Sequence, residues 1–140
     1  REPDRPIVGF GRSLGGAVAS QVAQRKPLAG LILESTFTSA KEMAPLVLPL
    51  PGVGWITRHR FDTRAALRGL TQPLLIIHGT RDELVPYRMG EALFAAAASP
   101  TKRFHPVPGG QHNDTYRVAG EAYYPWLLDF LHQVDAAAGR

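Results

Sequence analysis

Ser13, Asp82 and His112 are side chains that, brought together, could turn a hydroxyl into a nucleophile. A serine hydroxyl attacks poorly at neutral pH. A histidine can take its proton and later return it to a leaving group. A carboxylate then fixes the histidine tautomer and stabilises the imidazolium as it forms. The three occur in the order Ser, Asp, His, with 69 residues from the first to the second and 30 from the second to the third. Ser13 sits in Gly11-Arg12-Ser13-Leu14-Gly15, a G-x-S-x-G pattern that follows the apolar run Ile7-Val8-Gly9-Phe10. In a strand–turn–helix context such a serine projects its hydroxyl away from the sheet. Gly11 and Gly15 lack a Cβ, which predicts that strand and helix cross closely on either side of a strained serine.

The elements that must hold these residues are legible in the apolar spacing. A strand is expected over 6–10 and a helix over 13–25, with Leu14, Ala17, Val18 and Val22 on one face. Pro27 stops that helix, and the apolar run 28–33 reads as a strand covered on both faces. Further strands are expected over 73–78 and over 102–107, where Pro106 places the last at an edge. Helices are expected over 86–98, with Met89, Leu93, Phe94 and Ala97 inward, and over 123–137, with Leu127, Phe130, Leu131 and Val134 inward. Between 36 and 70 the pattern loosens, and a small cap-like insertion is expected. Alternating strands and helices predict an α/β fold, a parallel sheet of about four strands with flanking helices. Active groups in such sheets gather beyond the carboxyl ends of the strands. Ser13, then Glu34-Ser35-Thr36, then Gly79 to Glu83, then Gly109 to Asp114 all fall there.

The segments Gly9 to Gly16, Leu33 to Phe37, His78 to Pro86 and Gly109 to Asp114 make the chain resemble the C-terminal half of an α/β-hydrolase. It is most similar to the α/β-hydrolase domain proteins related to serine aminopeptidases and dienelactone hydrolases. The resemblance implies that Ser13 is the nucleophile, Asp82 the acid and His112 the base, with the Leu14 N–H as one oxyanion donor. It implies hydrolysis of an ester, thioester, amide or peptide through an acyl-enzyme, acting on a small-molecule or acylated substrate without a cofactor. The family's earlier strands, and the second oxyanion donor that follows one of them, have no match here. Residues 1–140 are therefore expected to be a partial domain, weakly active alone. Some relatives carry a membrane anchor ahead of the hydrolase domain. A cytoplasmic or membrane-associated protein is expected, with any membrane association arising upstream.

Rival assignments remain at each position. Glu83 adjoins Asp82, and Glu34 ends a strand where some α/β-hydrolases place their acid; the tight Gly-Thr-Arg-Asp turn after the most buried strand favours Asp82. His59, His78, His105 and His132 compete with His112, but each reads as structural or solvent-facing. Asp114 reads as a helix cap. Arg12 beside the serine, with Phe37, Met43, Trp55 and Val85, is the expected substrate pocket, sheltered by the apolar cap around Leu46, Leu48 and Ile56. A second class is a dinucleotide-binding module, with Gly9, Gly11 and Gly15 in the turn and Glu34 on a ribose; Leu14 stands at its third glycine position. A third is a non-catalytic descendant that binds a partner.

Composition narrows the rest. At 140 residues there is room for one domain, and 44% apolar content suits a globular core. The net charge of +4 comes from dispersed arginines rather than a basic run, which argues against nucleic acid. No cysteine, H-E-x-x-H or paired carboxylate–histidine spacing suggests a metal site. The most apolar window, 43–56, is broken by Pro45, Pro49 and Pro51 and is too short to span a bilayer. Nothing in the sequence sets an oligomeric state.

Overall fold

The structure, a computed structural model, describes residues 5–47 and 61–139. Four strands, β1 (Val8–Arg12), β2 (Gly30–Glu34), β3 (Leu74–Gly79) and β4 (Lys102–Val107), form one parallel sheet in the order β1-β2-β3-β4. Helix α1 (Leu14–Arg25) connects β1 to β2, and α2 (Ala40–Val47) and α3 (Thr63–Arg68) lie between β2 and β3. Helix α4 (Tyr87–Ala96) precedes β4, and α5 (Thr115–Ala119) and α6 (Tyr123–Ala137) follow it.

The central strands are buried on both faces, as their unbroken apolar runs require. Their side chains alternate. Leu31, Leu33, Leu74 and Ile76 pack with Ala23 of α1, Leu67 of α3 and Leu93 of α4. Ile32, Leu75 and Ile77 point the other way, onto Tyr123, Phe130 and Val134 of α6. Residues 63–70, expected within the cap, therefore contribute Leu67 and Leu70 to the main core. Residues 48–60 of that segment lie outside the described residues.

Helix α1 corrects the sequence reading. Its buried residues are Gly16, Ala17, Ser20 and Ala23, whereas Leu14, Val18 and Val22 are 53%, 45% and 41% exposed. Close approach is the cause. A Cβ at Gly11 would lie 2.4 Å from the Gly15 carbonyl oxygen and 2.8 Å from Ala19 Cβ, so only small residues fit between helix and strand. The one buried hydroxyl on that face is satisfied locally, Ser20 Oγ donating to the Gly16 carbonyl at 2.8 Å. In α6, Phe130 and Val134 are buried as expected, but Leu131 is exposed. Among the described residues strand β1 has a single neighbour, β2; Phe10 on it and Ile7 just before it are exposed.

Candidate active site

Ser13 is the single residue between β1 and α1, and it carries φ 51° and ψ −124°. A non-glycine residue held there stores about 1–3 kcal/mol of strain, which its surroundings must overcome. They do so through β2. The Ser13 N–H donates to the Glu34 carbonyl at 2.9 Å, and Thr36 Oγ1 donates to the Ser13 carbonyl at 2.6 Å. Leu14 opens α1, so its N–H has no acceptor within the helix. The close crossing falls differently from expectation. A Cβ at Gly15 would meet nothing within 4 Å, while one at Gly16 would lie 2.5 Å from Thr36 Oγ1. Gly16, not Gly15, is the second position that excludes a side chain.

Asp82 lies on the turn after β3, with its side chain fully enclosed. One oxygen, Oδ1, accepts the N–H groups of Leu84 at 3.0 Å and Val85 at 2.8 Å. The other, Oδ2, is 2.9 Å from His112 Nδ1. Burial opposes the charge, but hydrogen bonds from His78, the Val85 N–H and His112 outweigh it and hold the carboxyl below its ordinary value. A carboxylate can only accept, so Nδ1 of His112 is the donor, and in the neutral imidazole Nε2 is the nitrogen left to accept. That nitrogen lies 3.1 Å from Ser13 Oγ, within reach of its proton. The structure thus brings Ser13, His112 and Asp82 into one chain of hydrogen bonds.

The rivals are placed elsewhere. Glu34 is buried and accepts from the hydroxyls of Thr115 and, at 3.0 Å, Tyr123. Burial and that carboxylate push the Tyr123 hydroxyl well up, so it stays a donor. Each Glu34 oxygen thus accepts one of these hydroxyls, within a buried side chain. Glu83 is exposed. His78 is fully buried and donates through Nε2 to the Val85 carbonyl at 2.9 Å, with the same atom 3.5 Å from Asp82 Oδ2. It braces the acid's turn. His105 stacks on Trp126 and His132 is exposed, while His59 lies outside the described residues. Asp114 does not cap α5 with its side chain; Oδ1 accepts the Gln111 N–H.

Of the residues expected to line a pocket, Phe37, Met43 and Val85 are buried against Ala17, Ala40 and Met89. Trp55 lies outside the described residues. Arg12 turns to the loop of His112 and donates to the His112 carbonyl and to Asn113 Oδ1. A cavity of about 350 Å³ is lined by His112 with Glu83, Leu84, Gln111, Asn113, Asp114 and Arg117. Sequence reasoning missed Thr36 and His78 as supports. Their positions at strand ends were visible, but their contacts were not. Among the described residues no group of three or more His, Asp or Glu could hold a metal ion, and no helix is long and apolar enough to cross a membrane.

The family described as "Serine aminopeptidase, S33" matches residues 56–115, which include Asp82 and His112 but not Ser13. Over 144 residues the chain is 37% identical to alpha/beta hydrolase domain-containing protein WAV2 of Arabidopsis thaliana, covering 91% of this chain and 47% of that protein. The chain belongs to the α/β-hydrolase superfamily. This α/β-hydrolase chain is also 36% identical to protein bem46 of Schizosaccharomyces pombe, covering 92% of the chain and 44% of that protein. It spans about half the length of these curated relatives. In solved structures the fold is similar to an esterase of Pyrococcus furiosus, with TM-score 0.73, 18% identity and coverage of 91% and 53% of the two chains. It is likewise similar to the esterase domain of a Rhodothermus marinus protein, with TM-score 0.68, 20% identity and coverage of 89% and 62%. At these identities the likeness is one of α/β-hydrolase architecture.

Proposed function

We propose that the protein is a serine hydrolase that cleaves an ester, thioester or amide through an acyl-enzyme. The observation that carries this reading is the unbroken path Ser13 Oγ, His112 Nε2, His112 Nδ1, Asp82 Oδ2, with steps of 3.1 and 2.9 Å. In the first half-reaction Ser13 Oγ attacks the substrate carbonyl carbon while His112 Nε2 takes the hydroxyl proton. The Asp82 carboxylate stabilises the imidazolium, and the Leu14 N–H donates to the oxyanion. The tetrahedral intermediate collapses, the acyl–heteroatom bond breaks, and His112 returns the proton to the leaving group. Water then enters as the second nucleophile, His112 takes one of its protons, and the acid leaves as Ser13 Oγ recovers its hydrogen. No cofactor takes part in these steps.

Family membership and the esterase fold of the neighbours support a hydrolase, and the polar cleft beside His112 suits a small or acylated substrate. Glu83 and Leu84 on one side and Gln111 to Asp114 with Arg117 on the other would flank the leaving group. The test is labelling of the full chain by a fluorophosphonate probe, beside its Ser13→Ala variant. Label on the parent and none on the variant is the expected result, and an unlabelled parent removes the reading. A panel of acyl esters, thioesters and amides then ranks the bond type.

A further inference from the structure

Residues 108–114, between β4 and α5, carry His112 and are tied down on two sides. The first half is held to the turn of Asp82. The Gly109 N–H donates to Thr80 Oγ1 at 2.9 Å, and the Gly110 carbonyl accepts the Arg81 N–H at 2.9 Å. The second half is held to the strands that carry Ser13 and Glu34. Arg12 Nη2 donates to the His112 carbonyl and, at 3.2 Å, to Asn113 Oδ1. Its register partner on β2, Glu34, accepts from Thr115, the residue that begins α5. Arg12 Nε is buried without a hydrogen-bond partner among the described residues, so Nη2 makes the polar contacts given for this side chain.

We propose that Arg12 is a positioning residue whose guanidinium, by holding the His112 backbone carbonyl, sets the distance between His112 and Ser13. Arg12 is bonded directly to Ser13 in the chain, so the contact joins the backbone of the nucleophile to the backbone of its base across 100 residues. The division of labour follows from the geometry. Asp82 grips Nδ1 and fixes the tautomer and the tilt of the ring, but a ring held only there can still swing Nε2 away from Ser13 Oγ. A second grip, on the backbone of His112, removes that swing. Both hydrogens of one planar nitrogen serve two acceptors on the same loop, which a flexible lysine ammonium reproduces only in part. Displacement of a reacting group by about 1 Å costs on the order of 10²-fold in rate.

The activity readout rests on the serine hydrolase reading, so the experiment pairs it with one that does not. Arg12→Gln and Arg12→Lys are made in the full chain. Fluorophosphonate labelling rate, kcat and KM on p-nitrophenyl acetate, and amide hydrogen exchange are measured for each. Arg12→Gln is expected to slow labelling and kcat by about 10²-fold with KM unchanged, and to speed exchange at 111–115 while the sheet stays protected. Arg12→Lys is expected to recover part of the rate. If Arg12→Gln fails to fold, Arg12→Lys carries the same readouts. A labelling rate and loop exchange equal to the parent's overturn the proposal and leave the hydrolase reading intact. Exchange that rises throughout the sheet shows a general structural role and also overturns it. Faster exchange confined to 111–115 in a parent that takes no label supports the tie and overturns the hydrolase reading instead.

Discussion

Thr36 Oγ1 donates to the carbonyl of Ser13 at 2.6 Å, so the strained turn is pinned from the segment after β2 as well as by the Gly16 N–H of its own helix, at 3.0 Å. Thr36→Val keeps the shape and removes the donor. One hydrogen bond contributes about 1 kcal/mol, so the thermal midpoint should fall by a few degrees. The fluorophosphonate labelling rate should fall further, about 10-fold, because the turn that aims Ser13 Oγ is loosened. An equal labelling rate would show that the Glu34 and Gly16 hydrogen bonds suffice to set the turn.

The two glycines after Ser13 should respond in opposite ways. Gly16→Ala drives a Cβ to 2.5 Å from Thr36 Oγ1 and should destabilise the fold and weaken that same hydrogen bond. Gly15→Ala meets no atom within 4 Å and should be tolerated, with a gain of about 0.5–1 kcal/mol from helix propensity. Urea midpoints of the two variants check this, and a Gly15→Ala variant less stable than Gly16→Ala contradicts it.

Asp82 and Glu34 are separable by rate. Asp82→Asn leaves His112 without its anionic partner and should lower kcat by about 10⁴-fold. Glu34→Gln keeps an acceptor for Thr115 or Tyr123 and should cost far less. Steady-state kinetics on one ester substrate decides the ranking, and the reverse order would move the acid to Glu34.

The depressed pKa of Asp82 has a sign in stability. Its folded value lies below the unfolded one, so it stabilises the fold at pH values above the ordinary carboxylate range. That contribution disappears as the pH falls through the folded value. The thermal midpoint should hold from neutrality to about pH 4 and decline below it. Asp82→Asn should lack this part of the decline; an acid curve identical to the parent's would exclude Asp82 as its source.

Among the described residues strand β1 has one edge without a neighbouring strand, beside exposed Ile7 and Phe10, with Leu14, Val18 and Val22 exposed on α1. Such edges pair with other chains unless a charge intervenes. Phe10→Lys should therefore raise the solubility of the 140-residue chain and lower its apparent mass in light scattering. No change in either would show that β1 is not the sticky edge.

The candidate site was legible where chemistry follows strand ends. Ser13, Asp82 and His112 each lie on the segment that follows a strand expected from the sequence, and the order of those strands along the chain is their order in the sheet. What escaped were contacts between segments remote in sequence. Phe37, Met43 and Val85, expected at a pocket, pack with one another across three segments, a contact that spacing does not show. The inward face of α1 was misread because periodicity weighs Val18 and Val22 by hydropathy, whereas the approach to Gly11 admits only small atoms. Nothing in spacing could show Arg12 turning to a carbonyl 100 residues away.

The strands stand in the sheet in the order in which they occur in the chain. During synthesis each new strand can therefore dock on the one before it, without waiting for a later segment to fill a gap. Of the site residues the Ser13 turn emerges first, Glu34 and Thr36 next, Asp82 with β3, and His112 only after β4. A ribosome-bound chain ending before residue 112 would hold a strained serine and a waiting carboxylate without the histidine that joins them. On the serine hydrolase reading, reactivity would switch on only once β4 has been laid down.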